Sequence, residues 1–321
     1  ILNPPEKAIG TPRADLKFTL APKMVGGVPQ DEARGPRFLP IKARGSETLL
    51  PSVSIRSLSE HKTETENSAN ILDKTFKDMG YDLEQVRIGA QQVPRVFLAS
   101  MPNDIGAMLE IPRKKSLFFK AVLPLILKVN AEISEDRQRL WDLKSRLVKA
   151  EVLPASERLW LIVMAERYNV KRGSINKLIK RVDIIPVSLA LAQAAEESGW
   201  GASRFTREGN AMFGQWTTAK GEGLVPLDRD ENKTHKVKAF KSLFHSVRAY
   251  ARNLNTHRAY QGLRSVRLQL RKKGAPIRGH ILAESLLSYS ERGDDYVKAL
   301  RALMTVNKLK YFDEAVLNID A

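Results

Sequence analysis

Two adjacent carboxylates, Glu196 and Glu197, close an apolar stretch that stops at Gly199. The stretch opens after Pro186, and Val187 to Ser198 reads as a helix, with proline leading in and glycine marking the stop. A carboxyl at that end meets the negative pole of the helix dipole and a like charge next door. Trp200, Phe213 and Trp216 follow closely and could shield it from water. All three influences disfavour the ionised form. A carboxyl that keeps its proton near neutral pH can hand it to a departing glycosidic oxygen, the work of a general acid. Aromatic rings in a cleft also suit the apolar faces of sugars. The same residues equally describe a helix end with a solvated acid pair and a tryptophan packed in the core. Periodicity alone does not choose between Glu196 and Glu197.

Other chemistries find less support. The chain has no cysteine, which removes disulfide frameworks, thiolate metal sites, iron–sulfur clusters and thiol catalysis. The five histidines (His61, His235, His245, His257 and His280) show no metal-ligand spacing, and His257 reads as a structural hydrogen-bonding residue. Asp228-Arg-Asp-Glu-Asn-Lys begins like a calcium loop, but Lys233 and Ala239 stand where that loop needs glycine and glutamate. Gly221-Glu-Gly223 is a turn rather than a phosphate loop, and there is no G-x-S-x-G elbow. No metal site and no cofactor are expected.

The elements that must position the acid divide the chain of 321 residues into three expected regions. Residues 1–66, holding half of the 16 prolines within the first 51 positions, read as an extended arm with little structure of its own. Residues 67–151 read as a helical domain. In it, Leu117–Leu127 is a buried helix that Pro124 kinks or breaks, and Ser134 caps the next helix. Residues 152–321 form the third region. It has a helix capped by Ser156, the helix before Gly199, and two short strands, Gly223–Leu227 and Thr234–Phe240; helices resume at Ser242. The expected fold class is α+β, mostly α, with a small β-hairpin. Leu117–Leu127 is too short and too interrupted for a membrane span of roughly 20 residues. No signal peptide is visible; because the chain starts at Ile1, an N-terminal segment removed earlier is the expectation.

Lysine and arginine number 53 against 36 aspartates and glutamates, a net charge of +17. Between Glu231 and Glu284 thirteen Lys or Arg occur with no acid among them. Such a surface attracts polyanions: wall polymers, anionic lipid headgroups or nucleic acid. With aromatics at only 7% of the chain there is little to stack on bases, so nucleic acid is not the expected partner.

Gln193-Ala-Ala-Glu-Glu-Ser-Gly-Trp-Gly201 resembles the acid-bearing A-Q-A-x-x-E-S-G-W-G motif of the glucosaminidase family of peptidoglycan hydrolases, glycoside hydrolase family 73. Gly209-Asn210, followed by Phe213-Gly214, is similar to its downstream G-N-N-L-F-G. Asn253–Tyr260 and Tyr289–Tyr296 look like the Bax-like branch, and the likeness spans about 155 to 317. It implies a lysozyme-like catalytic domain that cleaves the β-1,4 bond between N-acetylglucosamine and N-acetylmuramic acid, with Glu197 as general acid. Tyr289 then lies near the cleaved bond, and Ser198, Trp200, Asn210, Phe213 and Trp216 build the cleft. Tyr296 fits either the cleft or the core. Many relatives carry a second glutamate on the hairpin lobe. Glu222 is the favoured equivalent here, ahead of Asp228, Asp230 and Glu231, and the substrate's own acetamido oxygen is the alternative. The implied partners are peptidoglycan strands and anionic wall or membrane surfaces, in the periplasm or cell envelope. Two other activities stay open: a lytic transglycosylase, which also uses one glutamate, and a non-catalytic basic protein that binds wall or nucleic acid.

Overall fold

The computed structural model describes residues 68–217, 223–225 and 236–319. The arm expected at 1–66, Glu222 and the acids Asp228, Asp230 and Glu231 lie outside the described residues. The rest is mostly helical. Helices α1 (Ser68–Asp78) and α2 (Leu83–Arg87) lead through an irregular connector into α3 (Ile111–Val148). Then come α4 (Ala155–Arg167), α5 (Ile175–Arg181), α6 (Val187–Ser198) and α7 (Arg204–Gly209). Strands β1 (Trp216–Thr217) and β2 (Lys236–Val237) precede α8 (Leu243–Thr256), α9 (Gln261–Lys272), α10 (Gly279–Ala283) and α11 (Asp294–Val306).

Helix α3 corrects two expectations. Its 38 residues run unbroken through Pro124, and Ser134 lies inside it rather than capping a second helix. Proline in a helix interior costs about 3 kcal/mol in lost hydrogen bonding and ring clash. Each large apolar side chain that α3 buries returns about 1.5–3 kcal/mol. From Leu117 to Leu127 every residue is buried, so burial wins. Helix α4 likewise starts one residue before Ser156, with Pro154 at its N-cap.

The expected boundary between 151 and 152 does not separate two cores. Leu117, Phe118, Leu123 and Leu125 of α3 belong to one buried cluster with Leu189, Leu191 and Ala195 of α6 and with Leu254 and Leu300. A parallel bridge of Val93 with Leu317 ties the early segment to the C-terminal tail, through Val93 N–H to Val316 O at 2.9 Å and Asn318 N–H to Val93 O at 2.8 Å. The physical reason is length: α3 is long enough to serve both halves at once.

Helix α6 is the central element, with ten of its twelve residues buried. Its N-terminus is stapled by Asp313, which accepts from Ser188 N–H at 2.8 Å and from Ser188 Oγ at 2.9 Å. Asp313 also accepts from Gly279 N–H at the start of α10. Gly279 permits this approach, since a Cβ there would stand 2.2 Å from Ser188 Oγ and 2.8 Å from Leu189 N. At the other end Gly199 adopts φ +55° and closes the helix where the sequence reading placed it.

Among the described residues, the expected pairing of the two hairpin segments is present and a further strand, Trp216–Thr217, joins it. β2 pairs antiparallel with Trp216–Thr217. Of the strand expected at 223–227, the described residues show one bridge, Leu224 with Val237.

Candidate active site

The last turn of α6 points its two acids in different directions. Glu196 forms an ion pair with Arg292 Nη1 at 2.6 Å on the half-exposed side. Glu197, about 100° further round the helix, turns inward to four tyrosines brought from distant parts of the chain. Its Oε1 accepts a hydrogen bond from Tyr296 Oη at 2.7 Å. Tyr296 sits in the first turn of α11 and is stacked parallel on half-buried Tyr289 at 5.5 Å, which in turn tilts against Tyr260 at 5.7 Å. Gln193, four residues before Glu197 on the same helix face, donates Nε2–H to Tyr296 Oη at 2.9 Å. Its Oε1 accepts from Tyr250 Oη of α8 at 2.7 Å. On the other side of the carboxyl, Gly214 adopts φ +57°, and a Cβ there would lie 3.9 Å from Glu197 Oε2.

The electrostatics follow from this packing. Burial raises the Glu197 pKa above the usual carboxylate range, and the charge on Glu196 pushes it the same way; the Tyr296 hydroxyl and Arg292 pull against it. Among the described residues, Glu196 and Arg292 are the full charges that act on this carboxyl. Burial and the neighbouring Glu197 also hold the hydroxyls of Tyr250, Tyr289 and Tyr296 well above the ordinary tyrosine value. Glu197 is therefore a carboxyl disposed to hold a proton, hydrogen-bonded through one oxygen and bordered at the other by a glycine.

The structure separates the remaining expected site residues. Trp200 was expected to cover the acid; it packs instead edge-on against Phe118 and Phe119 of α3, at 5.7 and 5.4 Å, under the Lys115 ammonium at 4.7 Å. The reason is the backbone: Gly199, Trp200 and Gly201 all have positive φ and swing the chain off the helix axis. Glycine suits position 201 because its φ is +80°, and a Cβ there would also crowd Met101 Cε at 3.0 Å. Ser198, expected at the substrate, is fully buried; its Oγ donates to Ala194 O at 2.6 Å and accepts from Gly201 N–H at 2.8 Å. Ser-Gly-Trp-Gly is thus a helix-terminating turn that fixes where Glu197 ends up.

Phe213 is also buried, stacked on Tyr250 at 3.8 Å, and so supports the tyrosines rather than facing a ligand. Tyr296, with 1% of its surface accessible, holds the acid and has no face left for a sugar. Asn210 adopts φ +52° and donates Nδ2–H to Phe240 O at 3.1 Å, anchoring the loop before β1. Trp216 begins β1 opposite Val237. His257 has the structural role expected of it: Nδ1 accepts from Ala259 N–H at 3.3 Å, and its carbonyl accepts from Arg264 at 2.8 Å.

Sequence reading gave no role to Gln193, Tyr250, Tyr260 or Arg292. The spacing of four to Glu197 was a usable signal for Gln193. Tyr250 and Tyr260 carried no local signal, because only the fold brings α8 and the turn after it beside α6. The basic run is also smaller than its count. Arg264 and Arg267 are buried and bonded to carbonyls, Arg271 pairs with Asp183, and Arg248 pairs with Glu132. Among the described residues no group of acids and histidines could hold a metal ion, and no helix is long and apolar enough to cross a membrane.

Comparison with known proteins adds two findings. The family described as mannosyl-glycoprotein endo-β-N-acetylglucosaminidase matches residues 173–309, which contain the whole site. A protein of Escherichia coli (strain K12), called Protein bax, is 39% identical over 206 residues, covering 61% of this chain and 70% of that protein. No solved structure matches.

Proposed function

The chain belongs to the glucosaminidase family, in its Bax-like branch, and on that premise we propose that it hydrolyses peptidoglycan between N-acetylglucosamine and N-acetylmuramic acid, with Glu197 as general acid. The observation that carries the reading is the half-buried Glu197 carboxyl, its pKa raised, bonded to Tyr296 in the motif that defines the likeness. The proton leaves Glu197 for the glycosidic oxygen as the bond from that oxygen to the anomeric carbon breaks. The positive charge that develops on the sugar is then met by the substrate's 2-acetamido oxygen or by a second carboxylate. Water completes the reaction, returning a proton to Glu197. Tyr289, half-buried on the outer side of Tyr296, is the tyrosine best placed to border the sugar. Glu222 keeps its candidacy as second carboxylate on its place in the sequence alone.

The net charge of +17 favours a strand bearing carboxylates over a neutral mannosyl glycan, and it favours residence in the periplasm or cell envelope, where such strands lie. A lytic transglycosylase is the second reading, since a single carboxyl of raised pKa bonded to Tyr296 suits that reaction as well. Incubation with peptidoglycan sacculi and with a high-mannose glycoprotein, followed by mass analysis, separates the readings. Reducing N-acetylglucosamine ends are expected. Anhydro-muramic ends would transfer the assignment to the transglycosylase, and glycoprotein cleavage alone would move the substrate. Binding to sacculi without any cleavage would leave a wall-binding protein.

A further inference from the structure

Tyr250, Gln193, Tyr296 and Glu197 form one hydrogen-bonded chain with a single direction. Tyr250 Oη donates to Gln193 Oε1 at 2.7 Å, Gln193 Nε2 donates to Tyr296 Oη at 2.9 Å, and Tyr296 Oη donates to Glu197 Oε1 at 2.7 Å. Gln193 is fully buried, and Tyr250 and Tyr296 are each 1% exposed, so water has no access to break the sequence. An amide cannot exchange its donor and acceptor ends without turning over, and Tyr250 holds the oxygen end. The Tyr296 oxygen, receiving a hydrogen from Gln193, must spend its own hydrogen on Glu197. Oε1 is therefore kept as an acceptor.

We propose that Gln193, oriented by Tyr250, is a positioning residue that confines the acid's transferable proton to Glu197 Oε2, the oxygen bordered by Gly214, so that delivery takes place on the Gly214 side. This rests on Glu197 being the general acid. A protonated Oε1 would have to donate to the Tyr296 oxygen, which already accepts from the Gln193 amide, and would leave the Tyr296 hydrogen without an acceptor. Gly214 borders Oε2 with no side chain of its own: a Cβ there would stand 3.9 Å away, in van der Waals contact.

The chain also has an electrostatic effect. Donors lined up toward Oε1 favour the ionised carboxyl, so shortening the chain raises the Glu197 pKa. The groups that face the carboxyl are Glu196 on its own helix, Arg292 before α11, Tyr296 on α11, Tyr250 on α8, Tyr260 after α8 and Tyr289 before α11; none of the charged ones is touched by changes at Gln193 or Tyr250.

The test uses Gln193→Met and Tyr250→Phe in the full chain, with folding checked by circular dichroism. Titration of the Glu197 carboxyl followed by carbon-13 NMR is expected to show a higher pKa in both variants, with the larger rise in Gln193→Met. On sacculi, kcat is expected to fall roughly ten- to a hundredfold in Gln193→Met with KM little changed, because the proton is now shared between two oxygens of which one is misplaced. The alkaline limb of the rate profile should move up with the measured pKa. Tyr250→Phe, the milder change, carries the test if Gln193→Met does not fold. A merely structural role would lower the melting temperature and leave the Glu197 titration where it was; an unchanged titration in both variants overturns the proposal. If the titrations move but no variant and no wild-type sample cleaves sacculi, the hydrolase reading fails and the relay stands.

Discussion

Among the described residues, the carboxylates of Asp183 and Glu197 have opposite surroundings. Asp183, in the loop between α5 and α6, is 2% exposed and ringed by guanidiniums: Arg271 Nη2 at 2.8 Å, Arg137 Nη1 at 3.5 Å and Arg267 Nε at 3.7 Å. Arg267 is itself fully buried, donates to the carbonyls of Asp183 and Ile184 at 3.1 and 2.8 Å, and reaches Asn255 Oδ1 at 2.7 Å. Burial brings its pKa down to about 10, which leaves it charged at neutral pH. Glu197, 14 positions on by number, is surrounded by hydroxyls and one amide instead. The first arrangement joins α3 and α9 to the loop through ion pairs, and α8 through the Asn255 amide. The second leaves a carboxyl whose charge is poorly compensated and whose proton is correspondingly available. What sets Glu197 apart from Asp183 is the company each one keeps, since both are shielded from water.

Exchanging an oxygen for nitrogen at the second site tests the chemical half. Glu197→Gln is expected to reduce cleavage of sacculi by about a hundred- to ten-thousandfold, the usual range for a lost general acid. Its stability should move the other way. A carboxyl whose folded pKa is raised binds its proton more tightly when folded, so stability declines as pH climbs from the ordinary carboxylate value through the folded one. The variant should therefore melt higher than wild type at pH 8 and show no such gain at pH 3. A variant that is destabilised at pH 8 would place Glu197 with Asp183.

At the arginine ring the effects should be reversed. Asp183→Ala leaves three guanidiniums without their anion, and urea unfolding should show a loss of about 3–5 kcal/mol. A loss under 1 kcal/mol would mean that the ring does not hold the helices together. A smaller effect is expected at the far end of the helix that carries the acid. Asp313→Ala removes the staple on Ser188 and Gly279, and should cost about 1–2 kcal/mol while leaving the pH of half-maximal activity unmoved.

The smallest effect sharpens the choice between neighbours. Glu196→Gln removes a charge that raises the Glu197 pKa and frees Arg292, which lowers it. The alkaline limb of activity should move to lower pH, with less than about a threefold change in rate at its optimum. Loss comparable to that of Glu197→Gln would give the acid role to Glu196.

Much of the site's frame was legible in the residue order. Pro186 and Gly199 bracketed α6 because both limits are backbone effects of single residues. Ser242 likewise marked the start of α8. Ser134 misled, and Pro124 does not break the helix, because α3 draws its stability from side chains buried along its whole middle, which local breakers and caps do not report. Trp200 misled for a related reason: nearness in sequence to Glu197 suggested cover, but three left-handed residues send its ring to Phe118 and Phe119. The run of thirteen basic residues read as surface because charge is usually solvated, yet Arg264 and Arg267 hold carbonyls inside.

By itself the sequence settled that a helix would end in two acids beside a glycine turn, since proline, glycine and apolar spacing act over a few residues. Its periodicity left those two acids equivalent, and the likeness to the glucosaminidase motif pointed to Glu197. Tertiary structure makes them physically different, by carrying Tyr250 and Tyr296 from 57 and 103 positions away to Gln193, and so Tyr296 to Glu197, while turning Glu196 toward Arg292. A proton's affinity for a carboxyl depends on water removed and dipoles supplied, and those come from whatever the fold packs around it.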